Sequence, residues 1–455
     1  MRLRRSTLTL LSTVLMATTA AASATAADRP EQHCAAQNRI RVPGAAFQQV
    51  SCHDDLTTSA LTGTSYTDPT DWSSLTAKGT LNPTDVPGIQ IDGYFPDSSH
   101  LNTTHGWNHD AQFVIRLPDR WNGGLVITGA PGTRKQYSLD TSISDWVLAR
   151  GYAFAATDKG NSGPDFYTDG RRPGDAVVEW NRRTTELTLA AKNLVRQSYG
   201  HSPRRTYMTG MSNGGYLTRW QLENHPELYD AGLDWEGALW TPDGPNLFTY
   251  LPTGVRHSLG RASTKDMLAA GFTPGTEFLW PYHEQVYYGL TQKAYRAEFD
   301  PEYDPNCPGP SAGSTLPEIL APCQSDASYD YASRPESVKK AVERVSLTGK
   351  IGRPLITVQG DLDALLPVAT DSDAYAHMIA DRHRSRLHRY YTVEGGTHVD
   401  GLYDSHPDRL RPVLPCYRAA FALLTDWVEH RQDPPASGTV PKPTSGDVVN
   451  SCALR

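Results

Sequence analysis

Apolar positions along the chain recur with two periods, and the alternation between them is the first guide to the fold. Residues 112–117 (Gln-Phe-Val-Ile-Arg-Leu) read as a strand, 118–124 as a turn, and 125–128 as a second, buried strand. Residues 146–150 read as the end of a helix closed by Gly151, and 152–157 as another strand. Leu187, Ala190, Ala191, Leu194 and Val195 then recur at helical spacing until Gly200 stops the run. A strand over 205–209, a helix over 214–224 and a strand over 231–235 follow. Strands alternating with helices predict the α/β class, with a mainly parallel central sheet covered by helices on both faces.

From about 240 to 345 the rhythm is lost in Pro, Gly, Tyr and two cysteines, and it resumes with a strand over 354–359. A helix over 373–383, a strand over 387–393 and a terminal helix over 417–430 complete the pattern. The expected organisation is therefore a leader at 1–26, an N-terminal extension with early strands at 27–110, and a first core segment at 111–240. An inserted cap at 241–345, a second core segment at 346–432 and an extended tail at 433–455 complete it. There is no internal repeat and no long low-complexity tract.

Composition narrows the setting. Arg2, Arg4 and Arg5 precede an apolar run from Leu8 to Ala17, and Ala24-Thr25-Ala26 is a small-residue cleavage site, the pattern of an export signal. The run is too short to span a bilayer, so the chain is expected to be secreted, cut after Ala26 and free of the membrane. The net charge is −7, and three of the cations fall in the leader, which leaves no basic character to recruit nucleic acid or an anionic lipid surface. The 37 glycines and 33 prolines suit a loop-rich globular enzyme. Six cysteines, Cys34, Cys52, Cys307, Cys323, Cys416 and Cys452, are widely spaced and even in number, and in an exported chain they predict disulfides rather than a zinc site. Neighbour pairing (34–52, 307–323, 416–452) is the simplest of the 15 possible connectivities.

The candidate chemistry is nucleophilic. Gly-x-Ser-x-Gly occurs twice, at 210–214 and 309–313, so the pattern alone decides nothing. A nucleophile elbow needs a strand that delivers the serine into a sharp turn and a helix that leaves it. Ser212 has Thr206 to Thr209 before it and Tyr216 to Leu222 after it, whereas Ser311 lies beside Pro310 and near Cys307. Ser212 is the expected nucleophile. A serine hydroxyl needs a base, and the base needs an acid that holds its tautomer. Downstream, residues 354–359 end in the acidic turn Gly360-Asp361-Leu362-Asp363, where either carboxylate is placed past a strand's C-terminal edge. His398 comes after the next strand in the flexed loop Glu394-Gly395-Gly396-Thr397-His398, with His406 in reserve. The order Ser, Asp, His is that of the α/β-hydrolase fold.

Two backbone donors are needed for the oxyanion. Asn213 supplies one by position, and Ala130 in Thr128-Gly129-Ala130-Pro131-Gly132 is the expected second, since Pro131 has no N–H. Trp235, Trp240, Trp280, Tyr282, Tyr287 and Tyr288 flank or populate the cap and are candidates for an aromatic substrate pocket, with core packing as the alternative. Asp300, Asp304 and Asn306 lack a recognised calcium loop and read as turn residues. The chemistry calls for no metal and no organic cofactor.

Several segments together resemble secreted esterases of the tannase, feruloyl esterase and 3-hydroxybutyrate oligomer hydrolase group. They are 117–124 (Leu-Pro-Asp-Arg-Trp-Asn-Gly-Gly), 149–152, Thr157-Asp158-Lys159-Gly160, the turn at Ser212, the stretch from Gly360 to Pro367, and Gly396-Thr397-His398. Gly360, Asp363 and Pro367 match the Gly-x-x-Asp-x-x-x-Pro of many α/β-hydrolases, which favours Asp363 as the acid. In tannases and feruloyl esterases of this group cysteines adjoin the catalytic serine and histidine as a disulfide; here Met211 and Val399 stand there. The resemblance implies an α/β-hydrolase fold with an inserted cap. It also implies a serine carboxylic ester hydrolase acting on a small-molecule or oligomeric ester, either a hydroxyacid oligomer, a polyester fragment or an aromatic ester. A secreted serine peptidase of the same fold is the alternative class, and an inert binding module fits a complete Ser–Asp–His order poorly.

Overall fold

Strands form where β-branched and aromatic residues alternate between the two faces of a growing sheet, and among the described residues ten of them join one sheet. The computed structural model describes residues 40–61, 69–311 and 313–454. The leader and Cys34, and with it the 34–52 pairing, lie outside the described residues. The strands are β1 (Phe47–His53), β2 (Gly88–Tyr94), β3 (Gln112–Pro118), β4 (Gly124–Gly129), β5 (Ala153–Thr157), β6 (Arg205–Met211), β7 (Ala231–Trp235), β8 (Leu355–Gly360), β9 (His388–Val393) and β10 (Gly438–Val440). Their order in the sheet is β1-β2-β3-β5-β4-β6-β7-β8-β9-β10. β1, β2, β3 and β5 pair antiparallel in turn, and every pairing from β5 through β4 to β10 is parallel. The strands expected from periodicity at 112–117, 125–128, 205–209, 231–235, 354–359 and 387–393 coincide with β3, β4, β6, β7, β8 and β9 to within about two residues, as strand ends generally do.

The helices that position the site are α1 (Asp175–Tyr199), α2 (Asn213–Asn224), the cap helices α3 (Leu251–Ser258), α4 (Thr264–Ala269), α5 (Trp280–Val286), α6 (Tyr288–Phe299), α7 (Leu316–Leu320) and α8 (Glu336–Glu343), and then α9 (Ser372–Asp381) and α10 (Leu414–Thr425). The apolar run at 187–195 is the inner stripe of the 25-residue α1, which Gly200 closes at φ +81°. Between β7 and β8 the described residues form helices and loops, so the segment that broke the βα rhythm is a helical insertion rather than a second sheet.

Two apolar layers sandwich the sheet. Leu125 and Ile127 of β4 pack with Trp180, Leu187 and Leu194 of α1, while Val126 between them points the other way toward Trp146, Tyr417 and Phe421. On the first face the seam between β7 and β8 is polar. Arg219 of α2 donates from Nε to Asp234 (2.7 Å), from Nη1 to Asp371 (3.2 Å) and from Nη2 to Ser372 (2.9 Å). All four side chains are buried, so removing one partner would strand a charge at a cost of about 3–5 kcal/mol. This network locks α2, the helix that leaves Ser212, to β7 and α9.

Disulfides join Cys307 to Cys323 in the cap and Cys416 of α10 to Cys452 in the tail, as neighbour pairing predicts. The tail is not merely extended: β10 adds to the edge of β9, and Cys452 pins the end of the chain to α10. Among the described residues no helix is long and apolar enough to cross a membrane.

Candidate active site

The parallel strands end at one edge of the sheet, and β6, β7 and β8 each present a residue there. Ser212 comes directly after β6 and caps α2 with φ +58° and ψ −118°, a conformation that side-chain-bearing residues rarely adopt. The turn is held by Ser212 N–H donating to Trp235 O (2.9 Å) and by Tyr216 N–H donating to Ser212 O (2.9 Å). It closes because Gly210 and Gly214 lack side chains. A Cβ on Gly210 would strike the Gly214 backbone, and one on Gly214 would overlap the Gly129 carbonyl oxygen.

Asp363 and His398 meet behind this turn. His398 Nδ1 lies 2.8 Å from Asp363 Oδ2, which also accepts from Gln359 Nε2 at 2.9 Å. The other carboxylate oxygen accepts from Leu365 N–H (2.8 Å) and Leu366 N–H (3.0 Å), so all of Asp363 is tied down and fully buried. Asp361, the alternative acid, instead accepts from Gly395 N–H (2.8 Å) and braces the loop that carries His398. Burial pushes its carboxyl up to about 6. His406 stacks edge-on against Phe278 and stands apart from the cluster.

Ser212 and His398 line one pocket of about 340 Å³ with Met211 and Val399 beside them. Among the described residues no hydrogen bond joins Ser212 to His398. The pocket's roof comes from the cap: Tyr287 and, from α6, Leu290, Thr291, Ala294 and Tyr295. Their spacing of three and four residues is one helical face turned onto the serine.

Several expectations are corrected. The Ala130 N–H donates to Thr157 O at 3.0 Å, because β4 continues its pairing one residue past Gly129, so this group is committed to the sheet. Gly132, two residues on, lines the pocket, and neither its N–H nor that of Asn213 has an acceptor among the described residues. The Asn213 side chain ties these two together by donating to Gly132 O (3.0 Å) and to Tyr295 Oη (2.8 Å). Of the six candidate aromatics Tyr287 lines the pocket, and Trp235, Trp240, Trp280, Tyr282 and Tyr288 do not. Trp235 packs beneath the sheet against Tyr417, Trp240 among Phe248, Tyr295 and Phe299, and Trp280 against Phe272, since a fully buried indole contributes most by filling core volume. Tyr282 is 46% exposed on the cap surface. Asp300 is taken by Arg334 Nε (2.6 Å) and Tyr329, and Asp304 caps the N–H of Asn306 (3.0 Å), which accounts for both as structural turn residues.

One residue escaped sequence reasoning. Glu236, the first residue past β7, is fully buried with its Oε2 3.4 Å from His398 Nδ1. The rule that singled out Asp361 and Asp363, a carboxylate just beyond a strand's C-terminal end, applies to it equally.

Comparisons with known proteins bear on the fold and on the family. The model described as tannase and feruloyl esterase matches residues 99–234, which contain the elbow, and the model for 3HB-oligomer hydrolase matches residues 319–453, which contain Asp363 and His398. No curated protein sequence matches the chain. Feruloyl esterase B from Aspergillus oryzae is similar in structure, with a TM-score of 0.53 at 14% identity over 89% of this chain and 91% of that one. A second esterase from Aspergillus oryzae gives a TM-score of 0.53 at 14% identity over 89% of this chain and 90% of that one. At such identities the structures show a shared fold. The two family models, over residues 99–234 and 319–453, add what the fold alone does not: this is an α/β-hydrolase-fold chain that resembles the esterases of the tannase, feruloyl esterase and 3HB-oligomer hydrolase group.

Proposed function

We propose that the chain is a secreted serine carboxylic ester hydrolase that works through an acyl-enzyme. The observation that carries this reading is the 2.8 Å contact of His398 Nδ1 with a fully anchored Asp363, in a pocket that His398 shares with the strained Ser212. With Nδ1–H directed at Asp363, Nε2 is left as the base. It takes the Ser212 proton as Oγ attacks the ester carbonyl, and the developing oxyanion is met by the N–H groups of Asn213 and Gly132, each such donor contributing about 3 kcal/mol at the transition state. His398 then protonates the departing alcohol, and water, deprotonated by the same nitrogen, releases the acid.

The apolar lining from α6, with Phe166 and Leu247, suits an acyl chain or ring. Hydroxyacid oligomers, polyester fragments and aromatic esters are the proposed substrates. Met211 and Val399, in place of the cysteine pair, leave the serine and histidine to be held by packing and by the Asp363 turn. Secretion rests on the leader at 1–26 and on the disulfides. The test is turnover of p-nitrophenyl acyl esters, hydroxybutyrate oligomers and aminoacyl amides by the purified chain. Ester cleavage should exceed amide cleavage on every acyl group tried, and faster turnover of the amides would reject the esterase reading.

A further inference from the structure

The cluster around His398 holds one carboxyl group more than a Ser–Asp–His site uses. Glu236 is fully buried, and its backbone sits at φ +50°, in the left-handed region that costs a side-chain-bearing residue about 1–2 kcal/mol. Its Oε1 accepts from Gly360 N–H at 2.7 Å, which clamps the carboxyl to the strand end that launches the Asp363 turn. Its Oε2 has no hydrogen-bond partner among the described residues and lies 3.4 Å from His398 Nδ1, the nitrogen that Asp363 Oδ2 meets at 2.8 Å. One ligating atom from each of the three side chains falls within 4.8 Å of the others. A packing role does not require a buried oxygen left without a donor, which costs about 1–3 kcal/mol.

We propose that Glu236 is a positioning residue for the base: its Oε2 is a second carboxyl acceptor aimed at His398 Nδ1–H, able to take over from Asp363 when that side chain is lost. This rests on the reading of His398 as the base of an ester hydrolase. The groups facing Glu236 are Asp234 from β7, Asp363 from the turn after β8, and Asp400 from the segment after His398. The cations near them are few. Arg219 is occupied by Asp234 and Asp371, and His283 of α5, close to Asp363 and His398, is held neutral by burial, down to about 3. Burial, and then the charge of Asp363, push the Glu236 carboxyl well above the ordinary carboxyl range. Without Asp363 the repulsion falls, Glu236 ionises more readily, and the imidazolium formed during attack still meets a counter-charge.

The experiment compares the full chain with E236Q, D363A, D363A/E236Q and D363A/E236D in steady-state hydrolysis of p-nitrophenyl acetate as pH is raised from acid to alkaline. E236Q should lower kcat about threefold with KM unchanged, the pattern of an interaction made in the transition state. D363A should lose about 100-fold, less than the roughly 10⁴-fold loss typical of a triad without its acid, and its residual rate should rise with pH as Glu236 ionises. D363A/E236Q should fall about tenfold further and lose that pH limb, while D363A/E236D should retain it. Equal rates for D363A and D363A/E236Q within about twofold, or survival of the limb in the double variant, would overturn the proposal.

If D363A does not fold, the low-field proton resonance of His398 Nδ1 decides the matter in E236Q alone. A displaced resonance supports the contact, and an unmoved one rejects it. That resonance reads the Glu236–His398 relation whether or not Ser212 is the nucleophile. Fluorophosphonate labelling of wild type against S212A separately reads the serine mechanism.

Discussion

Residues 210–214 and 309–313 share the pattern Gly-x-Ser-x-Gly, yet the physical demands on their glycines differ. In the first, Gly210 and Gly214 are pressed against backbone, with Gly214 backed onto the Gly129 carbonyl. The serine between them is forced to φ +58° and faces a pocket that also holds His398. In the second, Gly309 faces the Tyr167 ring and Gly313 opens to solvent at φ +91°. Ser311 there is exposed and only closes a small turn, its N–H donating to Ser314 Oγ at 3.1 Å. A five-residue pattern becomes chemistry only where a strand feeds it and a helix leaves it, because that geometry places the hydroxyl at the sheet edge.

The sharpest way to break this comparison is to remove each hydroxyl. Ser212→Ala should lower kcat/KM by about 10⁴- to 10⁶-fold and abolish fluorophosphonate labelling, whereas Ser311→Ala should stay within about twofold of wild type. A labelled and active S212A chain would mean that the elbow was misread. The acid turn offers the next contrast. D363N should cost about 10⁴-fold in kcat, since an amide favours the wrong tautomer of His398, while D361N should cost less than about threefold because Asp361 braces a loop.

Smaller effects lie in stability. Gly214→Ala should lower stability by about 3 kcal/mol through overlap with the Gly129 carbonyl, seen as a lower Tm and lost activity. Opening the cap disulfide with C307A/C323A releases a cross-link of sequence separation 16. It should cost about 3 kcal/mol of stability while the elbow itself stays assembled, which circular dichroism and labelling together would show. Gly313→Ala should cost only about 1 kcal/mol, the penalty of a left-handed residue in open space. Equal losses for G214A and G313A would erase the distinction between the two turns.

Much of the site was legible in the chain itself. The apolar run before Ser212, the helical pattern after it, the acidic turn closing an apolar strand and the glycine-flexed loop at His398 are all local signals with local causes. Between Asp361 and Asp363 the pattern of Gly360, Asp363 and Pro367 leans to Asp363, and the structure adds which carboxylate the Gly395 N–H and the His398 ring each reach once β8 and β9 are side by side. The proposed oxyanion donor is Gly132 rather than Ala130 because β4 pairs with β5 one residue beyond what the Pro-Gly turn suggests. The tryptophans were candidates by type, and packing sent them into the core.

The sequence by itself determined the alternation of strands and helices, the elbow at Ser212 and the order of serine, acid and histidine, because each depends on neighbours within a few residues and on the glycines that let the backbone turn. Only the tertiary structure decided what roofs the pocket, which backbone N–H groups remain free, and that Glu236 faces the same histidine nitrogen as Asp363. Those depend on β7, β8 and the loop after β9 meeting at one edge of the sheet, and on a cap helix turning one face onto the serine. Contacts of that kind join residues far apart in the chain, Glu236 with His398 and Asn213 with Tyr295, and no local pattern records them.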